Sequence, residues 1–128
     1  MQYEYFYGAQ AEQFSFYRIP KALFTEPNFR ELSTDAKVLY GILLDRMSLS
    51  LKNQWIDAQN KVYIIFTVDE IMDALNCANQ KATRLMVELE KQAGLIERKR
   101  QGLGRPNLIY VKNFAATIND KSCEKGDS

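Results

Sequence analysis

Apolar residues recur with a helical period through the middle of the chain. Ala36, Leu39, Tyr40, Leu43 and Met47 fall at i, i+3, i+4, i+7 and i+11 and form one face. Val38, Ile42 and Leu44 widen that face, which predicts a central helix. Ser33 is placed to cap it, Asp35 suits the positive end of its dipole, and the pattern fades between Ser50 and Asn53. The run Val62-Tyr63-Ile64-Ile65-Phe66 is β-branched and aromatic and predicts a buried strand. Trp55 to Asp57 predicts a short strand paired with it across the polar stretch Ala58 to Lys61. Thr67 and Glu70 have capping-box spacing, and Val68, Ile71, Met72 and Leu75 then form the stripe of a second helix. Asn76 to Asn79 interrupts it. A third helix puts Ala82, Leu85, Met86, Leu89 and Ala93 on one face and ends at Gly94, a natural left-handed terminator. Leu95 to Arg100, the loop Gln101 to Pro106, and Asn107 to Lys112 read as a β-hairpin with Gly102 and Gly104 at its tip.

The two ends are different in kind. Residues 1–24 carry Tyr3, Tyr5, Phe6, Tyr7, Phe14, Phe16, Tyr17 and Phe24 without a helical period. Rings in this number either pack on their own domain or meet a second copy of the chain. Residues 115–128 become polar and read as the start of a linker. The expected organisation is therefore an aromatic-rich segment over residues 1–24, a folded domain over 25–114 and a tail over 115–128.

Helix, short strand, helix, tight turn, helix and hairpin is the order of an α+β winged helix-turn-helix with a basic β-hairpin wing. In that geometry the third helix enters the major groove of DNA and its first residues meet base edges. With Ala82, Leu85, Met86 and Leu89 turned inward, Gln80, Lys81, Thr83, Arg84, Val87, Glu88 and Lys91 face outward. Gln80 and Arg84 have the reach for bidentate bonds to adenine and guanine, and Asn79, Lys81 and Thr83 stand beside them. An ordinary solvated helix face has a similar composition. The wing adds a second basic element: Arg98, Lys99, Arg100 and Arg105 cluster at the end of the hairpin, followed by Asn107. Alternation puts Arg98 and Arg100 on one strand face and Lys99 on the other. The competing reading is a charged cluster that protects a strand edge.

The overall charge first points away from a polyanion partner. The 128 residues hold 17 Lys and Arg against 16 Asp and Glu. Divided along the chain, residues 79–112 hold 8 basic and 3 acidic side chains, a local +5, whereas residues 1–76 hold 7 and 10. A basic block inside an acidic chain directs one surface toward phosphates. The complete lack of histidine removes Ser-His-Asp and Cys-His catalysis and histidine metal ligation. Cys77 and Cys123 form no Cys-x-x-Cys pair, and Cys77 reads as a small apolar filler. Gly102-x-Gly104 lacks the rest of a phosphate-loop pattern. No catalysis, metal or cofactor is expected. Two thiols and no leader pattern or long apolar run fit a cytoplasmic protein with no membrane partner.

The motifs themselves are informative. Tyr17-Arg18-Ile19-Pro20-Lys21-Ala22-Leu23-Phe24 resembles the opening of the N-terminal domain of replication initiator protein A, a family of plasmids and conjugative elements in low-GC Gram-positive bacteria. Leu32-Ser33-Thr34-Asp35-Ala36-Lys37, Leu39-Tyr40-Gly41 and Asp45-Arg46-Met47-Ser48-Leu49-Ser50 continue the resemblance. So do Trp55-Ile56-Asp57, Val62 to Phe66, Gly94-Leu95-Ile96, Gly102-Leu103-Gly104-Arg105-Pro106 and Ile109-Tyr110-Val111. The resemblance implies an origin-binding winged helix that recognises repeated sites in double-stranded plasmid origin DNA and acts as a homodimer. Tyr3, Tyr5, Phe6, Tyr7, Phe14 and Phe16 are the candidates for the dimer contact. It also implies a further C-terminal domain that engages host replication proteins, absent here, so the chain is expected to be a fragment of a longer initiator. A protein–protein assembly module and a transcriptional regulator share this fold class and remain the alternatives.

Overall fold

In the computed structural model, which describes residues 2–8, 13–50 and 52–115, the helices follow the apolar periods. A short helix α1 spans Ala22–Thr25 and a 3-10 turn follows at Pro27–Phe29. Leu23 and Phe29 from these two turns are buried in the core. The long helix α2 spans Thr34–Ser50. Its start is set by Ser33, whose hydroxyl accepts from the Ala36 amide at 3.2 Å. Ala36, Leu39, Tyr40, Ile42 and Leu43 are all buried, so α2 is covered on several sides, as expected of a central helix. Lys37 is buried too, by lying its stem along the surface with its Nζ 4.6 Å from the Phe24 ring centroid.

The strand expected over Val62 to Phe66 is shorter than its composition suggests. Only Ile64–Ile65 forms a ladder, strand β1. Val62 makes a single bridge to Ile56, which bears out the pairing expected from Trp55 to Asp57. The Tyr63 amide bonds to the Trp55 carbonyl at 3.1 Å rather than joining the ladder. Thr67 already begins the next helix, so the ladder is bounded on both sides. That helix, α3, spans Val68–Leu75 and opens with a complete capping box between Thr67 and Glu70. Asn76 ends it in the left-handed conformation, φ 52°. Helix α4 spans Asn79–Val87 and widens into a π-type turn over Glu88–Gln92 before Gly94 closes it at φ 66°.

The hairpin is present as expected: β2 spans Ile96–Lys99 and β3 spans Leu108–Val111. Its tip turns through Gly102 at φ 120° and Gly104 at φ 76°, values that a side chain would strain. The sheet is antiparallel with order β1-β3-β2. In register, Ile64 and Arg98 oppose Ile109 on the face that meets the helices, and Glu97 opposes Tyr110 on the other face. Leu23, Leu39, Leu43, Ile71, Leu85, Leu89, Ile96 and Ile109 from every element meet in one core. Cys77 packs against that core as a half-buried free thiol; Cys123 and the tail after residue 115 lie outside the described residues. Among the described residues no helix is long and apolar enough to cross a membrane. The architecture is an α+β winged helix-turn-helix.

The N-terminal rings are largely exposed. Tyr3, Tyr5, Phe6, Tyr7, Phe14 and Phe16 are 84, 82, 59, 67, 53 and 62% exposed. Phe6 touches Phe14 and Phe14 touches Phe16, edge to face. The segment instead anchors through Ile19, which packs against the core, where the chain crosses α2 at Gly41.

Candidate nucleic-acid interface

Helix α4 is held by its inner face and presents its outer one. Ala82, Leu85, Met86 and Leu89 are buried, while Asn79, Gln80, Thr83 and Arg84 are exposed and Lys81 is half-exposed. The N-cap residue is Ala78, which makes no side-chain cap bond. The amides of the first turn therefore point outward at the positive end of the helix beside Asn79, Gln80 and Lys81, an arrangement that suits a phosphate. The Thr83 hydroxyl lies 3.5 Å from the Asn79 amide oxygen.

Two residues expected on the outer face are engaged inside the molecule. Glu88 is buried, contrary to its place on the outward face. The N-terminus of α2 abuts that flank of the helix, and the Glu88 carboxylate accepts from both the amide and the hydroxyl of Ser33, the latter at 2.9 Å. A carboxylate can be buried there because the positive end of α2 and two donors satisfy it. Lys81 reaches the same region of α2, with its Nζ 2.7 Å from Asp35, in a pair whose side chains are 43 and 51% exposed. Polar contacts thus tie the start of α2 to α4 at Lys81 and again just past its end.

The hairpin divides its cations. Arg98 shares the helix-facing side of the sheet and is committed to Glu90, which accepts from the Arg98 amide at 3.0 Å, Nε at 3.0 Å and Nη2 at 2.8 Å. Those bonds hold the Glu90 carboxyl below its ordinary range, with the guanidinium as the largest cause. They also cover an amide on the free edge of β2. Lys99 lies on the opposite face, and Arg100 follows the strand's last residue. Lys99, Arg100, Arg105 and Asn107 are exposed, and none of the three cations forms an ion pair among the described residues. The tip is braced by Gln101, whose Nε2 donates to the Pro106 carbonyl at 2.8 Å.

Sequence reasoning missed the anchoring carboxylates Asp35, Glu88 and Glu90 and the row of rings on the outer sheet face. The carboxylates carry no local signal, because their partners lie up to 55 residues away. The rings had one: Tyr63 and Tyr110 each lie one position out of phase with buried isoleucines.

Comparison with known proteins adds the relationship. The family profile described as the N-terminus of replication initiator protein A matches residues 15–125. A curated relative, a 41 kDa protein of Lactobacillus helveticus, is 34% identical over 103 residues, which are 80% of this chain and 28% of that protein. The chain therefore spans less than a third of that relative's length. A solved structure of the N-terminal domain of a DNA-binding protein superposes with a TM-score of 0.72 at 35% identity, covering 99% of this chain and 98% of the other. A Rep–DNA complex gives a TM-score of 0.72 at 35% identity with 98% of each chain covered. An MDR initiator gives 0.68 at 38% identity, covering 93% of this chain and 98% of that one.

Proposed function

This chain belongs to the replication initiator protein A family, as its N-terminal domain, and on that premise we propose that it binds double-stranded DNA sequence-specifically at repeated sites in a replication origin. The observation that carries this reading is the pairing of two exposed surfaces: the outer face of α4 with Arg84, and the hairpin end with Lys99, Arg100 and Arg105, none of which forms an ion pair among the described residues. The Glu90–Arg98 contact holds these two elements together. Gln80 and Arg84 read base edges, Asn79, Lys81 and Thr83 clamp the groove, and Lys99, Arg100, Arg105 and Asn107 hold the flanking backbone. Arg98 contributes by bracing the wing, since its guanidinium is taken up by Glu90. The domain performs no catalysis and needs no cofactor in this role. That a similar structure contains DNA supports the reading.

The test is selection from a random duplex library, then titration of the selected duplex at two salt concentrations. Arg84→Ala should cost about 1–3 kcal/mol and relax preference at one base pair. Lys99→Ala should weaken all duplexes alike and lower the salt slope by about one. Wild-type binding by both variants would refute the assignment.

The exposed aromatic segment favours self-association as a companion property. Two copies of the chain join through Tyr3, Tyr5, Phe6, Tyr7, Phe14 and Phe16, and host replication proteins are met through regions outside these 128 residues. Sedimentation of the Phe6→Ser/Phe14→Ser variant should give a smaller species than wild type. An unchanged species would remove the aromatic segment from the contact.

A further inference from the structure

The sheet face turned away from the helices is not plain surface. Tyr63, next to Ile64 in β1, stands beside Tyr110 of β3, whose partner in β2 is Glu97. Trp55 lies against Tyr63 with ring centroids 6.4 Å apart and planes 11° from parallel. Tyr63 and Tyr110 are 6.1 Å apart, edge to face. All three rings are only half-buried. The row continues into an open cleft of about 660 Å³ between the turn around Asp57 and the hairpin.

The charges around that cleft are unequally satisfied. Asp57 accepts from the Gln59 and Lys61 amides at 2.9 Å each and from the Tyr110 hydroxyl at 3.0 Å. Its carboxyl is therefore spent on bracing the turn and fixing the Tyr110 ring. Lys61, Lys99 and Lys112 line the cleft and form no ion pair among the described residues. Glu97, the other lining acid, makes no hydrogen bond or ion pair through its carboxylate among the described residues. The surface thus combines a short row of rings with a rim of ammonium groups.

That combination selects a ligand with exposed planar faces and a phosphate backbone. Duplex DNA buries its base faces and meets only the lysines. An extended acidic peptide meets the lysines and leaves the rings unused. A single strand uses both, because unstacked bases lie on aromatic rings while cations follow the phosphates. We propose that the outer sheet face, from Trp55 through Tyr63 and Tyr110 to the lysine-rimmed cleft, binds single-stranded DNA. The site is separate from the outer face of α4, since the rings and the helices lie on opposite sides of the sheet, and it shares only Lys99 with the wing surface assigned to duplex. It extends the reading of the chain as a duplex binder and does not require that reading to hold.

Trp55 is the only tryptophan in the chain, so its fluorescence reports this site directly. Titration of the 128-residue chain with a 12-nucleotide oligothymidylate should quench Trp55 emission saturably and in a salt-sensitive way. Tyr63→Ala should weaken the interaction by about 5- to 100-fold, and Tyr63→Phe should retain it. Because Tyr63→Ala also removes packing, Lys61→Glu/Lys112→Glu serves as a second variant on exposed side chains. It should reduce oligothymidylate affinity at least tenfold and leave selected-duplex affinity within twofold. Arg84→Ala should do the reverse, which separates failure of this site from failure of the duplex reading. The proposal is overturned by absent quenching, by quenching that Lys61→Glu/Lys112→Glu does not change, or by equal displacement with a polyglutamate peptide. Full displacement by the selected duplex from a Lys99→Ala variant would also overturn it, since the two sites would then be one.

Discussion

Replacing Glu90 by glutamine tests how the wing is held. The carboxylate accepts three hydrogen bonds from Arg98, two from the guanidinium and one from the backbone amide. Its side chain is 16% exposed and that of Arg98 25%, so solvent screens the pair only partly. Glutamine has one acceptor oxygen where the carboxylate has two, and no charge. It cannot serve the amide and the guanidinium together. Hydrogen bonds to charged groups are worth about 1.5–3 kcal/mol, and the loss at pH 7 should fall in that range. For a domain of this size a loss of about 2 kcal/mol lowers Tm by about 8–16 °C. The pH dependence supplies the sign. The Glu90 carboxyl is held below its ordinary value of 4.5, so its stabilisation is complete above that pH. It is lost as the pH falls through the lowered folded value. Urea unfolding of wild type and Glu90→Gln should therefore show a gap that is full at pH 7 and closes below pH 4.5. Equal stability at pH 7, or a gap that stays constant into acid, would refute this account of the wing.

Three further changes probe other joints. Gly41→Ala places a Cβ 2.8 Å from Ile19 Cγ1 and 3.0 Å from the Arg18 carbonyl oxygen; it should cost about 1–3 kcal/mol and speed tryptic cleavage at Arg18. Tyr40 donates to the Lys112 carbonyl at 2.8 Å, and burial pushes its phenol up to about 12. Its contribution is complete below pH 10 and disappears as the pH rises through about 12, so an ultraviolet titration of Tyr40→Phe should lack a late-ionising tyrosine that wild type shows near pH 12. Asp35→Asn releases Lys81 and should change stability by less than about 1 kcal/mol, because the pair is exposed. The same variant should raise the salt slope of duplex binding by up to about one, and an unchanged slope would take Lys81 out of the phosphate contacts.

The sequence was most readable where a signal is local. The apolar stripe of α2, the Thr67–Glu70 capping box and the glycines of the hairpin tip each appear within a few residues of the structure they create. The length of β1 was not readable in this way. Five strand-forming residues stand at Val62 to Phe66, but the ladder is limited by β3, by the Trp55 carbonyl that takes the Tyr63 amide, and by Thr67 opening α3. Glu88 shows the same limit at the candidate site. Helical periodicity turns it outward, and only the approach of Ser33, 55 positions earlier, makes its burial favourable. Arg98 was legible as a strand residue and as a cation, but its partner depends on where the π-type turn sets Glu90.

These contacts give the charge distribution a more specific meaning than its local sum. Acids near α4 and the hairpin take up particular cations: Asp35 takes Lys81 and Glu90 takes Arg98. Among the described residues, Arg84, Lys99, Arg100 and Arg105 are left without an ion pair and lie toward the outer helix face and the hairpin end. Ser33 and Asp35, two residues apart at the start of α2, grip α4 through Glu88 and Lys81, with the apolar contacts of Ala82, Leu85 and Met86 between them. Apolar packing alone would tolerate small rotations of α4, because such contacts are non-directional. Two polar contacts seven residues apart do not, since hydrogen bonds weaken steeply with angle. Asp35 and Glu88, one from each helix, therefore fix the rotation of α4, and with it which side chains it presents.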